Sequence, residues 1–274
     1  MWATTSSEAA TLARVFERAA AEGRAALVPY VTAGHPSPEA TAPLLRMLAE
    51  EGADVIELGV PFSDPLADGP VIQRSSFEAI RHGVDLRWTL GALREFRREH
   101  DTAVILFTYL NPVLRYGVDA FLRDAAEAGA QGVLLTDLPV GADPELEAAF
   151  AASPLDLIRL VAPTTLPERV REIAAAARGF LYYVSRTGVT GARQELASGL
   201  EREVAELRAA TPVPVAVGFG ISTPEQAAVV ARVADGVVVG SALVELLGRE
   251  GVEGARPLVR GLRAAMARGA DARS

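Results

Sequence analysis

Short apolar runs recur along the chain, and each is followed by a helix-like stretch. The runs are Ala26–Val31, Asp54–Leu58, Ala103–Tyr109, Gly132–Thr136, Asp156–Val161, Phe180–Val184, Val213–Val217 and Gly236–Val239. All are short and rich in β-branched or aromatic residues, with Gly, Pro or Asp at their ends, which is the pattern of buried strands. Between them, Ser37-Pro38-Glu39 and Thr223-Pro224-Glu225 each set a capping hydroxyl and a proline at a helix start. Asp143-Pro144-Glu145 and Leu166-Pro167-Glu168 are similar openings. The segment Glu8–Ala21 predicts a further helix ahead of the first strand.

Eight strand–helix units in one chain predict an α/β fold, a (β/α)8 TIM barrel with an extra N-terminal helix; a doubly wound open sheet has the same periodicity. EGADVIELG, AGAQGVLLTD and RVADGVVVG echo one another, each placing small residues ahead of a strand. No linker or low-complexity stretch interrupts the pattern, so a single domain over residues 1–274 is expected. In such a barrel the loops after the strands build the active site, so the informative residues are those just past each apolar run.

Composition narrows the chemistry. The chain lacks cysteine, which removes disulfides, thiolate nucleophiles and Cys-based metal sites. It also lacks lysine, all 27 basic residues being arginine, so no lysine imine can form with a carbonyl substrate or with pyridoxal phosphate. His35, His82 and His100 are far apart and show no metal-ligand spacing; no metal is expected. A net charge of −8 disfavours a general nucleic-acid binder, although local dipoles can still bind an anion. The N-terminus has no secretory pattern, and prolines and glycines break the uncharged run Ala209–Pro224, so neither secretion nor a membrane span is expected and the default location is cytoplasmic.

The strongest local signal is ELGVPFSDPLADGP, residues 57–70. Glu57 interrupts an apolar strand near its end. By alternation Val55, Glu57 and Gly59 share one face and Ile56 and Leu58 the other, so Glu57 is expected to point toward the barrel axis. A carboxyl there loses water and retains its proton near neutral pH, as a general acid must. A structural ion pair with an arginine such as Arg159 is the alternative. The prolines and glycines that follow fix an irregular loop presenting Asp64 and Asp68. Asp64, before a proline, has the ordinary role of a turn residue, whereas Asp68 is a second carboxyl able to divide labour with the first.

That run resembles the signature of the α subunit of tryptophan synthase. VPYVTAGHP, LFTYLNPV, LLTDLP, YYVSRTGVTG, VGFGIS and VVVGSALV match the same family in order, over nearly the whole chain. His35 departs from it, since the family has an acidic residue or tyrosine in VTAG-x-P. The resemblance implies a carbon–carbon lyase of tryptophan biosynthesis that cleaves indole-3-glycerol phosphate to indole and glyceraldehyde 3-phosphate. It makes Glu57 the acid that protonates indole C3 and Asp68 the acceptor of the indole N–H.

On the same basis Tyr30, Phe107, Leu134, Leu160, Tyr182 and Phe219 line the indole pocket, with the Tyr182 hydroxyl within reach of Glu57. Thr190 joins in closing loop six over the substrate. Gly191, Gly220, Gly240 and Ser241 hold the phosphate; glycines let backbone N–H groups approach an anion, and Ser241 opens a helix. The family works as an αββα complex. Its pyridoxal phosphate sits in the β subunit, so no cofactor is expected in this chain. Asp64 and the Asn111-Pro112 loop match segments facing that subunit, and exposed apolar groups are expected around Pro61, Leu66 and Pro112. A stand-alone lyase and a non-catalytic activating subunit are the alternatives. The sequence assigns no role to His35, His82 or His100.

Overall fold

The computed structural model describes residues 11–185, 193–218 and 220–267. Eight strands form a closed barrel in sequence order: β1 (Ala26–Thr32), β2 (Val55–Gly59), β3 (Ala103–Thr108), β4 (Gly132–Leu135), β5 (Asp156–Val161), β6 (Leu181–Val184), β7 (Val215–Gly218) and β8 (Gly236–Val239). Every neighbouring pair is parallel, and β8 closes on β1 through Ala26–Gly236 to Pro29–Val239. This is the expected (β/α)8 barrel, with strand ends within two residues of those read from the apolar runs.

The helices among the described residues are α1 (Leu12–Ala21), α2 (Thr41–Glu50), α3 (Pro70–Arg81), α4 (Leu86–Phe96), α5 (Leu110–Tyr116), α6 (Val118–Glu127), α7 (Pro144–Ala151), α8 (Pro167–Ala175), α9 (Arg193–Ala210), α10 (Pro224–Val233) and α11 (Ser241–Ala265). Helices α7, α8 and α10 begin at the prolines marked in the sequence. Ser37 caps a short 3-10 turn, Pro38–Ala40, that leads into α2. Two helices, rather than one, separate β2 from β3 and β3 from β4.

Two apolar layers hold the barrel. Ile56, Leu58, Val104, Leu106, Val133 and Leu157 face outward and pack against the helices. Val28, Val55, Ile105, Leu134, Ile158 and Val238 fill the interior with α1 residues Leu12, Val15, Phe16 and Ala19. The predicted extra helix therefore plugs the N-terminal end of the barrel. The rings of Phe16 and Phe180 meet at a tilt, their centroids 5.3 Å apart. A Cβ on Gly236 would lie 2.8 Å from the Phe16 ring, so glycine there makes room for the plug. Each such buried side chain is worth roughly 1.5–3 kcal/mol. Beside the plug, Arg24 grips Asp54 through two bonds of 2.6 and 2.8 Å, and the Leu27 amide donates to the same carboxylate. With this end filled, the C-terminal mouth is the open one.

Candidate active site

Glu57 sits on the inner face of β2, in register with Tyr30 on β1 and Ile105 on β3. Its neighbours along the strand confirm the alternation: Val55 belongs to the inner layer, and Ile56 and Leu58 to the outer. The side chain is 1% exposed, and neither carboxyl oxygen has a hydrogen-bond partner among the described residues. A bare carboxylate in that setting would cost several kcal/mol. Burial alone pushes the group up to about 8, so it holds its proton at neutral pH.

Arg159 does not pair with Glu57. Ile158 and Leu160 take the inner positions of β5, so alternation turns Arg159 outward, where it bonds Glu147 at 2.9 Å and the Leu138 carbonyl. The Tyr182 hydroxyl does not bond Glu57 either, although the phenol feels the carboxyl's charge.

The loop from Val60 to Gly69 brings the second carboxyl over the mouth. Gln73, in the first turn of α3, donates to the backbone carbonyl of Asp68 at 2.9 Å and to that of Pro65 at 3.4 Å. The Ala67 amide donates to the Tyr109 hydroxyl at 3.0 Å, and the Tyr109 ring packs on Phe62 at 5.1 Å. Asp68 is half-buried. Burial raises its carboxyl to about 6, against a lowering hydrogen bond from Tyr109. Tyr109 and Gln73 thus fix the loop, and sequence reasoning singled out neither. Tyr109 stood within LFTYLNPV at the end of a strand, which was its only signal.

The two carboxyls share neighbours. The phenols of Tyr30 and Tyr182 are both pushed upward, chiefly by burial and then by the charges of Asp68 and Glu57. Tyr30 meets Phe107 edge-on at 5.1 Å. Leu134, Phe107, Leu160 and Tyr182 all belong to the inner apolar layer. The structure therefore gathers five of the six expected lining residues round the axis; Phe219 lies outside the described residues, as do Thr190 and Gly191.

Gly220 follows β7 with φ of +70°, a turn conformation that favours glycine. Gly240 follows β8 and sits against Tyr30, its would-be Cβ 3.5 Å from that residue's own. It precedes Ser241, the first residue of α11, and among the described residues no side chain caps that helix. The first amides of α11 are thereby left as donors at the mouth. Helix α10 differs, because Thr223 and Gln226 cap it reciprocally.

Asp64 and Asn111 are exposed, and Leu66 is 83% exposed. Pro61 itself is buried, the loop folding it inward, and Pro112 is half-buried; the exposed apolar side chain near Pro112 is Leu114. Leu166 is a further exposed apolar residue, one that the sequence did not single out. Among the described residues, no group of three His, Asp or Glu side chains is placed to hold a metal ion. A cavity of about 610 Å³ lies outside the barrel wall, against Val161, Arg171, Tyr183 and Glu203, and none of the described candidate site residues lines it.

Comparison with known proteins identifies the family. The family described as "Tryptophan synthase alpha chain" matches residues 16–268. The chain belongs to the tryptophan synthase alpha chain family. It is 50% identical to the tryptophan synthase alpha chain of Acidiphilium cryptum over 86% of each chain. It is 48% identical to that of Burkholderia thailandensis, over 92% of this chain and 94% of the relative. A solved tryptophan synthase structure from M. tuberculosis superposes with a TM-score of 0.86 at 41% identity, covering 94% of this chain and 98% of that one. The alpha subunit from Legionella pneumophila gives 0.85 at 40% identity, over 93% and 97%. As in any family of barrels, the chemistry is carried by the residues at the mouth.

Proposed function

We propose that the chain is a carbon–carbon lyase that cleaves indole-3-glycerol phosphate to indole and glyceraldehyde 3-phosphate, as the alpha subunit of a tryptophan synthase. The observation that carries this is Glu57, buried inside the mouth with neither carboxyl oxygen hydrogen-bonded among the described residues, and the less buried Asp68 on the loop that follows its strand. Family membership supplies the substrate.

The reaction breaks the bond between indole C3 and the glycerol carbon. Glu57 gives its proton to C3, converting the ring to an indolenine whose C=N bond accepts electrons. The C–C bond pair then restores the indole, and the glycerol hydroxyl becomes the aldehyde. The proton it releases returns to the Glu57 carboxylate, so atoms and charge balance. Asp68, ionised near neutral pH, accepts the indole N–H and stabilises the positive charge that develops there. The substrate is its own electron sink, which suits a chain without lysine. Tyr30, Phe107, Leu134, Leu160 and Tyr182 enclose the indole. Gly220, Gly240 and the α11 amides from Ser241 receive the phosphate; Phe219, Thr190 and Gly191 complete the assignment carried over from the family.

The partner is a β subunit, which carries the pyridoxal phosphate in an αββα complex. Exposed Asp64, Leu66, Asn111 and Leu114 supply its docking surface. The enzyme is assigned to the cytoplasm; no described helix is long and apolar enough to cross a membrane. The test is indole release by the purified chain, with and without a β subunit. Glu57→Gln should lower turnover by at least about 10²-fold while substrate still binds. Retention of more than a tenth of the rate would refute the role of Glu57. Indole release undiminished by loss of the partner would favour a stand-alone lyase.

A further inference from the structure

Tyr30 lies along the wall of the mouth and is 4% exposed. Its Cβ is 3.5 Å from where a Cβ on Gly240 would stand, and its hydroxyl is 2.2 Å from the place of a Cβ on Gly59. Gly59 is the next residue after Glu57 on the inward face of β2, roughly 7 Å nearer the opening. The Tyr30 side chain thus spans from the head of α11 to a point just above Glu57.

Its phenol ends a chain of buried hydroxyls. Tyr30 Oη lies 3.3 Å from Thr32 Oγ1, and Thr32 Oγ1 lies 2.7 Å from Ser75 Oγ on α3. Ser75 donates to the Ile72 carbonyl at 2.8 Å. Thr32 and Ser75 are each 1% exposed, so water does not compete for these bonds. A hydroxyl has one proton, and a carbonyl has none to give. With Ser75 committed to Ile72, Thr32 is the donor to Ser75, and Tyr30 is the donor to Thr32. Burial also pushes the Tyr30 phenol upward, so it keeps that proton. The proton is turned toward Thr32, and the phenol oxygen meets everything else as an acceptor.

In the function proposed above, the glycerol carbons join the bond that Glu57 cleaves to the phosphate at Gly240. Tyr30 follows that same course. The first glycerol hydroxyl becomes the aldehyde, and the second, on the middle carbon, is left unchanged. We infer that Tyr30 is a specificity-determining residue whose oxygen accepts the proton of this second hydroxyl, while Thr32 and Ser75 are positioning residues that keep it an acceptor. The inference rests on that reading of the site. A substrate without the hydroxyl leaves a buried acceptor unpaired and binds less tightly.

Glu57→Gln should hold the substrate without turnover, so isothermal titration of the full-length variant measures binding alone. The probes are indole-3-glycerol phosphate and its analogue lacking the middle hydroxyl. The substrate should bind roughly fivefold to tenfold more tightly than the analogue. Adding Tyr30→Phe should weaken the substrate by about that factor and leave the analogue within about twofold, which also shows that the site is still folded. Ser75→Ala frees the Thr32 proton to turn toward Tyr30. It should weaken the substrate roughly threefold when Tyr30 is present and add nothing in Tyr30→Phe. Equal losses for both probes in Tyr30→Phe would make Tyr30 an apolar wall and overturn the inference, as would undiminished substrate binding. A Ser75→Ala effect that persists in Tyr30→Phe would overturn the positioning roles. Binding of neither probe by Glu57→Gln refutes the proposed function and this inference with it; binding of both, with no discrimination lost in Tyr30→Phe, refutes this inference alone.

Discussion

The ring of Tyr30 occupies the space that a Cβ on Gly59 would need. The two residues lie on adjacent strands at the mouth, and Tyr30 is itself wedged against Phe107. Gly59→Ala must therefore displace a buried aromatic ring that borders both carboxyls. Overpacking of this kind costs about 1–3 kcal/mol. The expected outcome is a folded barrel with a melting temperature several degrees lower and a markedly reduced rate of indole release. Thermal unfolding by circular dichroism and the indole assay measure the two effects.

The two carboxyls predict a bell-shaped pH profile for kcat/KM. Glu57 acts in its protonated form, which disappears as pH rises through about 8. Asp68 acts ionised, and that form disappears as pH falls through about 6. Activity should thus peak between these values. Asp68→Asn should remove the acid limb and leave a low rate that falls only on the alkaline side. An unchanged acid limb in that variant would assign it to another group.

At the opposite end of the barrel, Asp54 balances buried Arg24 and accepts the Leu27 amide. Asp54→Ala leaves the buried Arg24 guanidinium with Glu22, 2.7 Å from its Nε, as its remaining ionic partner and takes the acceptor from the Leu27 amide, at a cost of about 2–4 kcal/mol. The melting temperature should fall by roughly 10 °C, while the rate per folded molecule at room temperature is preserved. Denaturant titration and the indole assay, run on one preparation, separate the two quantities.

Leu66 is the most exposed large hydrophobic residue among those described. Leu66→Asp should change intrinsic stability by no more than about 0.5 kcal/mol, as for other surface substitutions. It should weaken association with a β subunit by roughly tenfold or more if the side chain is buried on docking. Isothermal titration of the two subunits measures this, and an unaltered Kd would move the interface elsewhere.

The barrel was legible because its signals are local. Glycines, prolines and capping residues mark where each strand and helix changes over, and the alternation around Glu57 assigns its face without any knowledge of the fold. What escaped were contacts between residues distant in sequence. Tyr109 meets Ala67 across 42 residues, and His35 meets Val244 across 209. No local period carries such information. Arg159 shows the same limit, since its type suggested an ion pair but not that Glu147 would be the partner. Pro61 looked like a surface loop residue and is buried, because the loop's path depends on Gln73 and Tyr109 holding it.

Helix α1 has a consequence beyond stability. With Leu12 and Phe16 filling the base of the barrel, the molecule is a blind well rather than a pipe. Reactants and products must share one doorway, and the loops and neighbours around that rim decide both what is admitted and when it departs.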